Sequence, residues 1–120
     1  MLALSVRTIA PDVTVLQASG RITLGRNAQE LEWKIEELLK QQPLRMVLDL
    51  SKVNYLDSTG IGIIVMTSGK IRAAGGLLCI AGAAATVKHT LDLCKVGDTI
   101  PLCADLNEAT ASLARAARAS

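Results

Sequence analysis

The stretch Met46–Val65, M-V-L-D-L-S-K-V-N-Y-L-D-S-T-G-I-G-I-I-V, decides the fold. It opens inside a short run, Arg45 to Leu50, with few polar breaks, the pattern of a strand covered on both faces. It closes inside a helix that Asp57 or Ser58 caps and that runs to about Ala74, where Gly75-Gly76 ends it. A buried strand followed directly by a capped helix belongs to an α/β sheet whose neighbouring strands run parallel.

The same alternation continues on both sides. Upstream, Leu2, Leu4 and Val6 alternate with small or polar residues, Pro11-Asp12 reads as a turn, and Val13 to Leu16 resumes a strand, which together predict a hairpin. Gly20 and Gly25 then flank the short apolar pair Ile22 and Leu24. Asn27 is a suitable N-cap for a helix from Ala28 to Gln41, with Leu31, Ile35, Leu38 and Leu39 on its buried face and Pro43 beyond its end. Downstream, Leu77 to Ala81 is an apolar strand. A helix from about Ala84 to Lys95 buries Val87, Leu91 and Cys94, and Gly97 ends it. Thr99 to Cys103 is a last strand, placed at a sheet edge by Pro101. Asp105 and Glu108 form a capping-box pair for a final helix with Leu106, Ala109, Leu113 and Ala116 on one face. The order is ββαβαβαβα, an α/β domain with a mixed, largely parallel sheet packed with helices, and residues 1–120 read as one domain.

Bulk composition fits this. Half of the 120 residues are hydrophobic, with one Trp, one Tyr and no Phe, so the core is aliphatic. A net charge of +2, without basic clusters or stacking aromatics, argues against nucleic-acid binding. Cys79, Cys94 and Cys103 are odd in number and lack C-x-x-C spacing, so they read as small buried hydrophobes in a reducing compartment. The N-terminus M-L-A-L-S-V-R has neither a basic start nor a long apolar run, so no signal peptide is read. The longest apolar stretch, Ala73 to Val87, is too short for a membrane span and is broken by Gly75-Gly76. The expectation is a cytoplasmic protein without direct membrane insertion.

The helix opened by D-S-T-G carries the functional signal. Stepping about 100° per residue from Ile61 puts Ile64, Val65, Ser68, Ile71 and the Arg72 stem on one face, expected to pack on the sheet. Ile63 and Met66 fall opposite, flanked by Thr59 and Lys70. Either a neighbouring loop covers these two apolar residues, or they form an interface for a partner protein. Gly62 and Gly69 beside them let another backbone come close. Ser58 at the helix start is a cap, or an acceptor whose phosphate the N-terminal N–H groups would favour. Trp33 falls among Glu30, Glu36, Glu37 and Lys40. It either lies over their stems or marks a second contact, for instance in a homodimer.

Catalysis is not supported. His89 is the only histidine and has no partner motif for a serine nucleophile. Leu56 stands where G-x-S-x-G needs Gly, and no G-x-x-x-x-G-K-[ST] occurs. Asp49 and Asp57 lack a third ligand for a metal, and no cofactor is implied. A phosphoaspartyl receiver would need an acidic pair after the first strand and a Lys after the last, and both are missing.

Met46–Val65 also resembles the signature of STAS domains, most of all that of bacterial anti-sigma factor antagonists. In these an apolar strand ending in D-L-S leads to D-S-[ST]-G-[LI]-G at a helix start. The resemblance implies a regulatory protein with no catalysis of its own. It implies Ser58 as phosphoacceptor, with Thr59 as the alternative. It implies Asp57 beside the acceptor as a partner contact, and joined to the helix reading the expected partner surface is Asp57, Ser58, Thr59, Gly60, Gly62, Ile63 and Met66. The implied partners are an anti-sigma factor with a GHKL-type serine kinase fold and a PP2C-type phosphatase. Similar domains serve as stressosome parts and as modules of lipid or anion transport complexes. One position departs from the pattern: Thr23 stands where many antagonists carry Asp, which leaves open a non-switching scaffold or a divergent kinase.

Overall fold

The structure, a computed structural model, describes residues 2–9, 12–41 and 43–119, with side chains as far as Ala114. Strands β1 (Leu2–Ile9) and β2 (Val13–Ile22) form the hairpin. They are followed by α1 (Arg26–Leu38), β3 (Arg45–Leu56), α2 (Ser58–Ala73), β4 (Leu77–Ala81), α3 (Ala85–Leu93), β5 (Leu102–Cys103) and α4 (Leu106–Ala119). The sheet order is β1-β2-β3-β4-β5. The β1–β2 pair is antiparallel and every other pair is parallel. The alternation read from the sequence is therefore the observed topology. Pro11 of the expected turn and the Ala116 side chain lie outside the described residues.

The sheet buries two unequal faces. On one, Leu16, Ile22, Met46, Leu48, Leu50 and Ile80 meet the apolar sides of α1, α2 and α3. On the other, Val13, Val15, Val47, Cys79 and Ala81 are covered by Ala109 and Leu113 of α4. The aliphatic core follows from the near absence of aromatics.

Several boundaries differ from the sequence reading, each for a physical reason. β3 does not stop at Leu50 but continues to Leu56. Register shifts against β2 between Gln17 and Ser19 and between Gly20 and Arg21 insert extra residues into β3. Leu50, Val53 and Leu56 consequently reach the core at three-residue spacing, a period that matches neither strand nor helix. β2 likewise extends to Ile22. Asn27 is not the cap of α1. That position is held by Gly25, at φ 105, and the Asn27 side chain instead donates to the Arg21 carbonyl at 3.0 Å.

Helix α3 ends earlier than expected, at Leu93. Lys95 adopts φ 56, a 3₁₀ turn spans Val96–Asp98, and Val96 takes the core position expected of Cys94. Cys94 is exposed and Cys103 half-buried, so of the three cysteines only Cys79 is fully buried. Burial pushes its thiol up to about 11, with the nearby Ser112 hydroxyl pulling weakly the other way. At α4 the capping box forms in modified shape: Glu108 N donates to Asp105 Oδ1, while the Glu108 carboxylate accepts from Ala104 N.

Candidate functional site at the start of α2

The parallel strands β2 and β3 end side by side, and α2 starts where they end. Asp57 N donates to the Ile22 carbonyl at 3.2 Å, which fixes the helix start against β2. Its carboxylate then makes two further bonds. Oδ1 accepts from Gly60 N at 2.9 Å and caps α2. Oδ2 accepts from Leu24 N at 2.9 Å, 33 residues away in sequence. Of the two cap candidates Asp57 is therefore the cap, and Ser58 is the first helical residue. Its side chain is exposed, and its hydroxyl has no hydrogen-bond partner among the described residues.

This assigns Asp57 a clamping role. It ties the β2–α1 loop to the first turn of α2 and so presents Leu24, 76% exposed, next to the helix start. Partial desolvation acts to raise the Asp57 pKa. The Gly60, Leu24 and Thr59 N–H groups outweigh it and hold the carboxyl below its ordinary value. Asp49 is lowered in the same way: burial opposes ionisation, and the Ser51 N–H with the Gln17 amide prevails. Both carboxylates therefore add stability above the unfolded-state value of about 4, and lose it as pH falls through their lower folded values. Thermal unfolding midpoints should drop steeply below about pH 4. Asp57→Asn, which keeps a capping side chain, should flatten that drop. Equal slopes in wild type and variant would remove Asp57 from the acid response.

The outward face of α2 is rotated from the expected one. Gly60, Ile61, Ile64, Thr67, Ser68 and Ile71 are buried. Val65, expected to pack on the sheet, is exposed, as is Met66, each at 41%. Ile63, expected outside with Met66, is half-buried against the core. The cause is α1, which lies along the Ile63 flank and is tied to it by the Lys70–Glu36 ion pair. The free apolar stripe is therefore Gly62, Val65, Met66 and Gly69. Nothing approaches a Cβ built on either glycine within 4 Å. Ile63 and Thr59 instead line a cleft of about 390 Å³ between α1 and α2, together with Leu24, Gln29 and Glu32.

Of the residues singled out from sequence, Asp57, Ser58, Thr59, Gly62 and Met66 thus lie on or beside one accessible surface. Gly60 does not, because it is buried against Ile22 and Leu56. Trp33 is 59% exposed on the outer side of α1. Leu24 and Val65 were missed. The Leu24 position depends on a bond from a residue 33 positions away, and the Val65 position depends on where α1 packs. Among the described residues no three His, Cys, Asp or Glu side chains gather as a metal site. Nor is any helix among them long and apolar enough to cross a membrane.

An accessible hydroxyl thus stands at a capped helix start, beside an apolar stripe and at the rim of a mixed β-sheet. The chain belongs to the STAS domain family, whose sequence profile matches residues 6–109. It is similar to the anti-sigma-F factor antagonist RsfB of Mycobacterium tuberculosis, with 42% identity over 59 residues. That alignment covers 49% of this chain and 48% of RsfB, so the chain spans about half the length of the curated relative it matches. In three dimensions it resembles an anti-sigma factor antagonist from Mycobacterium paratuberculosis, with a TM-score of 0.83 and 26% identity over 94% of each chain. It shares its fold with the Bacillus cell fate determinant SpoIIAA in the phosphorylated form. There the TM-score is 0.69 at 15% identity, covering 92% of this chain and 98% of that one.

Proposed function

We propose that this protein is an anti-sigma factor antagonist, a single STAS domain over residues 1–120 that acts by binding and not by catalysis. Unphosphorylated, it engages a cognate anti-sigma factor through the start of α2 and frees the sigma factor. Phosphorylation of Ser58 by that partner, a serine kinase of the GHKL-type fold, ends the contact, and a PP2C-type phosphatase restores it. One observation carries the reading: the Ser58 hydroxyl is exposed and unbonded at the first position of α2, about two turns from exposed Val65 and Met66. Asp57 already caps the helix, so Ser58 is not needed as a cap. A phosphate there meets a helix N-terminus, where an anion is favoured. The fold shared with a phosphorylated SpoIIAA supports the compatibility of this architecture with such a modification.

Incubation with the co-purifying kinase and ATP should place one phosphate on the peptide containing Ser58, read by mass spectrometry, with Thr59 as the alternative acceptor. An unmodified peptide under conditions that modify a known substrate would remove the switch. Thr23 in place of the usual Asp favours the second reading, a non-switching scaffold or a module of a stressosome or transport complex. In that case binding through Val65 and Met66 would persist whatever the state of Ser58.

A further inference from the structure

The two edges of the sheet are treated very differently. At one edge β5 is only two residues long and follows Pro101, so it offers almost no backbone to a further strand. At the other, β1 runs for eight residues in unbroken register with β2 from Leu2 to Ile9. Among the described residues the backbone hydrogen bonds of β1 run to β2 alone. An edge strand paired on one side leaves the N–H and C=O groups of about every second residue pointing outward. The usual protections of such an edge are nearly absent: β1 contains no proline, no bulge and a single charge, Arg7.

The side chains show what could pair there. Leu2 and Leu4 pack on the helix-covered face, and Val6 follows them on that face but is exposed. Two copies of β1 can run antiparallel about a two-fold axis perpendicular to the sheet, and same-face residues then stand opposite one another. Centred on Ser5, this places Leu4 of one copy opposite Val6 of the other, twice. It also puts Ala3 opposite Arg7, so no like charges face each other. We propose that β1 is a self-association edge, through which two copies of this chain join into one ten-stranded sheet. Another copy of the same strand satisfies both the open ladder and the exposed Val6, and the symmetry closes the assembly at two. A single pair of eight-residue strands lies at the small end of interfaces, below about 1,200 Å², so the dimer should exchange with monomer as concentration changes.

Sedimentation of the full chain should show a monomer–dimer equilibrium with a dissociation constant of about micromolar order or weaker. Amides of β1 should exchange more slowly with solvent at high concentration than at low. Ser5 is exposed, so Ser5→Lys and Ser5→Glu should both fold, and each should be monomeric because two like charges meet on the axis. Mixed one to one, they should re-form a dimer containing one copy of each. A wild type that stays monomeric at several hundred micromolar overturns the proposal. So does a dimer that survives Ser5→Lys and is lost on Trp33→Ala, which would place the contact on α1 instead.

Discussion

Ser58→Glu should bind the proposed anti-sigma partner about a hundredfold or more weakly than wild type, while Ser58→Ala should bind it as tightly as wild type. The asymmetry follows from where the residue sits. The Ser58 hydroxyl makes no bond that alanine would lose, and Asp57 holds the cap without it. A carboxylate at the same position must be desolvated when a partner covers Val65 and Met66. An unpaired buried charge costs several kcal/mol, and about 1.4 kcal/mol is a factor of ten. The fold itself should not suffer, because an anion at a helix N-terminus is worth about 0.3–1 kcal/mol. Thermal unfolding of Ser58→Glu should therefore match or slightly exceed wild type, even as calorimetric binding is lost. A phosphate carries about −1.5 to −2 charges and should act more strongly than glutamate. Met66→Asp should weaken binding even with Ser58 unmodified, since it alters the apolar stripe and leaves the hydroxyl in place. If Ser58→Glu and Ser58→Ala bound alike, charge at this position would not control the contact, and the scaffold reading would stand.

The sequence was most informative where one rule governed one element. The Leu77–Ala81 strand, the α2 start, and the ββαβαβαβα order needed only local pattern and capping chemistry. It was least informative where two elements meet. The Leu50–Val53–Leu56 spacing is a strand with two bulges, visible only once β2 is laid beside it. The α2 face differs from the expected one because a helical wheel assumes a single covering partner, and here α1 packs along a second flank, with Thr67 buried and Val65 exposed. Thr67 tolerates this because its hydroxyl bonds the Ile63 and Ile64 carbonyls within its own helix. At the site, the D-S-T-G stretch located the helix start and the accessible serine. It did not reveal that both oxygens of Asp57 are engaged within the chain, one of them by the Leu24 loop.

Gly60→Ala should destabilise the protein by about 2 kcal/mol, although alanine is the better helix former. A Cβ on Gly60 would stand 2.7 Å from Ile22 Cγ2, 2.7 Å from Leu56 Cδ1 and 3.0 Å from the Ile22 carbonyl oxygen. Ile22 and Leu56 are themselves buried at the ends of β2 and β3, so neither can swing aside freely. The carbonyl is backbone and also accepts the Asp57 N–H. Relief therefore requires the first turn of α2 to move, and this strains both the Asp57 cap and its bond to Leu24. Overpacking of this kind costs about 1–3 kcal/mol, more than the helix-propensity gain of up to about 1 kcal/mol. Gly62 and Gly69 share the same helix but face open space. Replacing either with alanine should stabilise the chain by up to about 1 kcal/mol, opposite in sign to Gly60. Denaturant unfolding of the three variants separates the contributions. Equal stabilisation at all three positions would show that α2 does not rest on Ile22 and Leu56. The predicted division of sign means that one glycine of the D-S-T-G-I-G stretch seats the helix that displays Ser58. The other leaves its surface open to a partner.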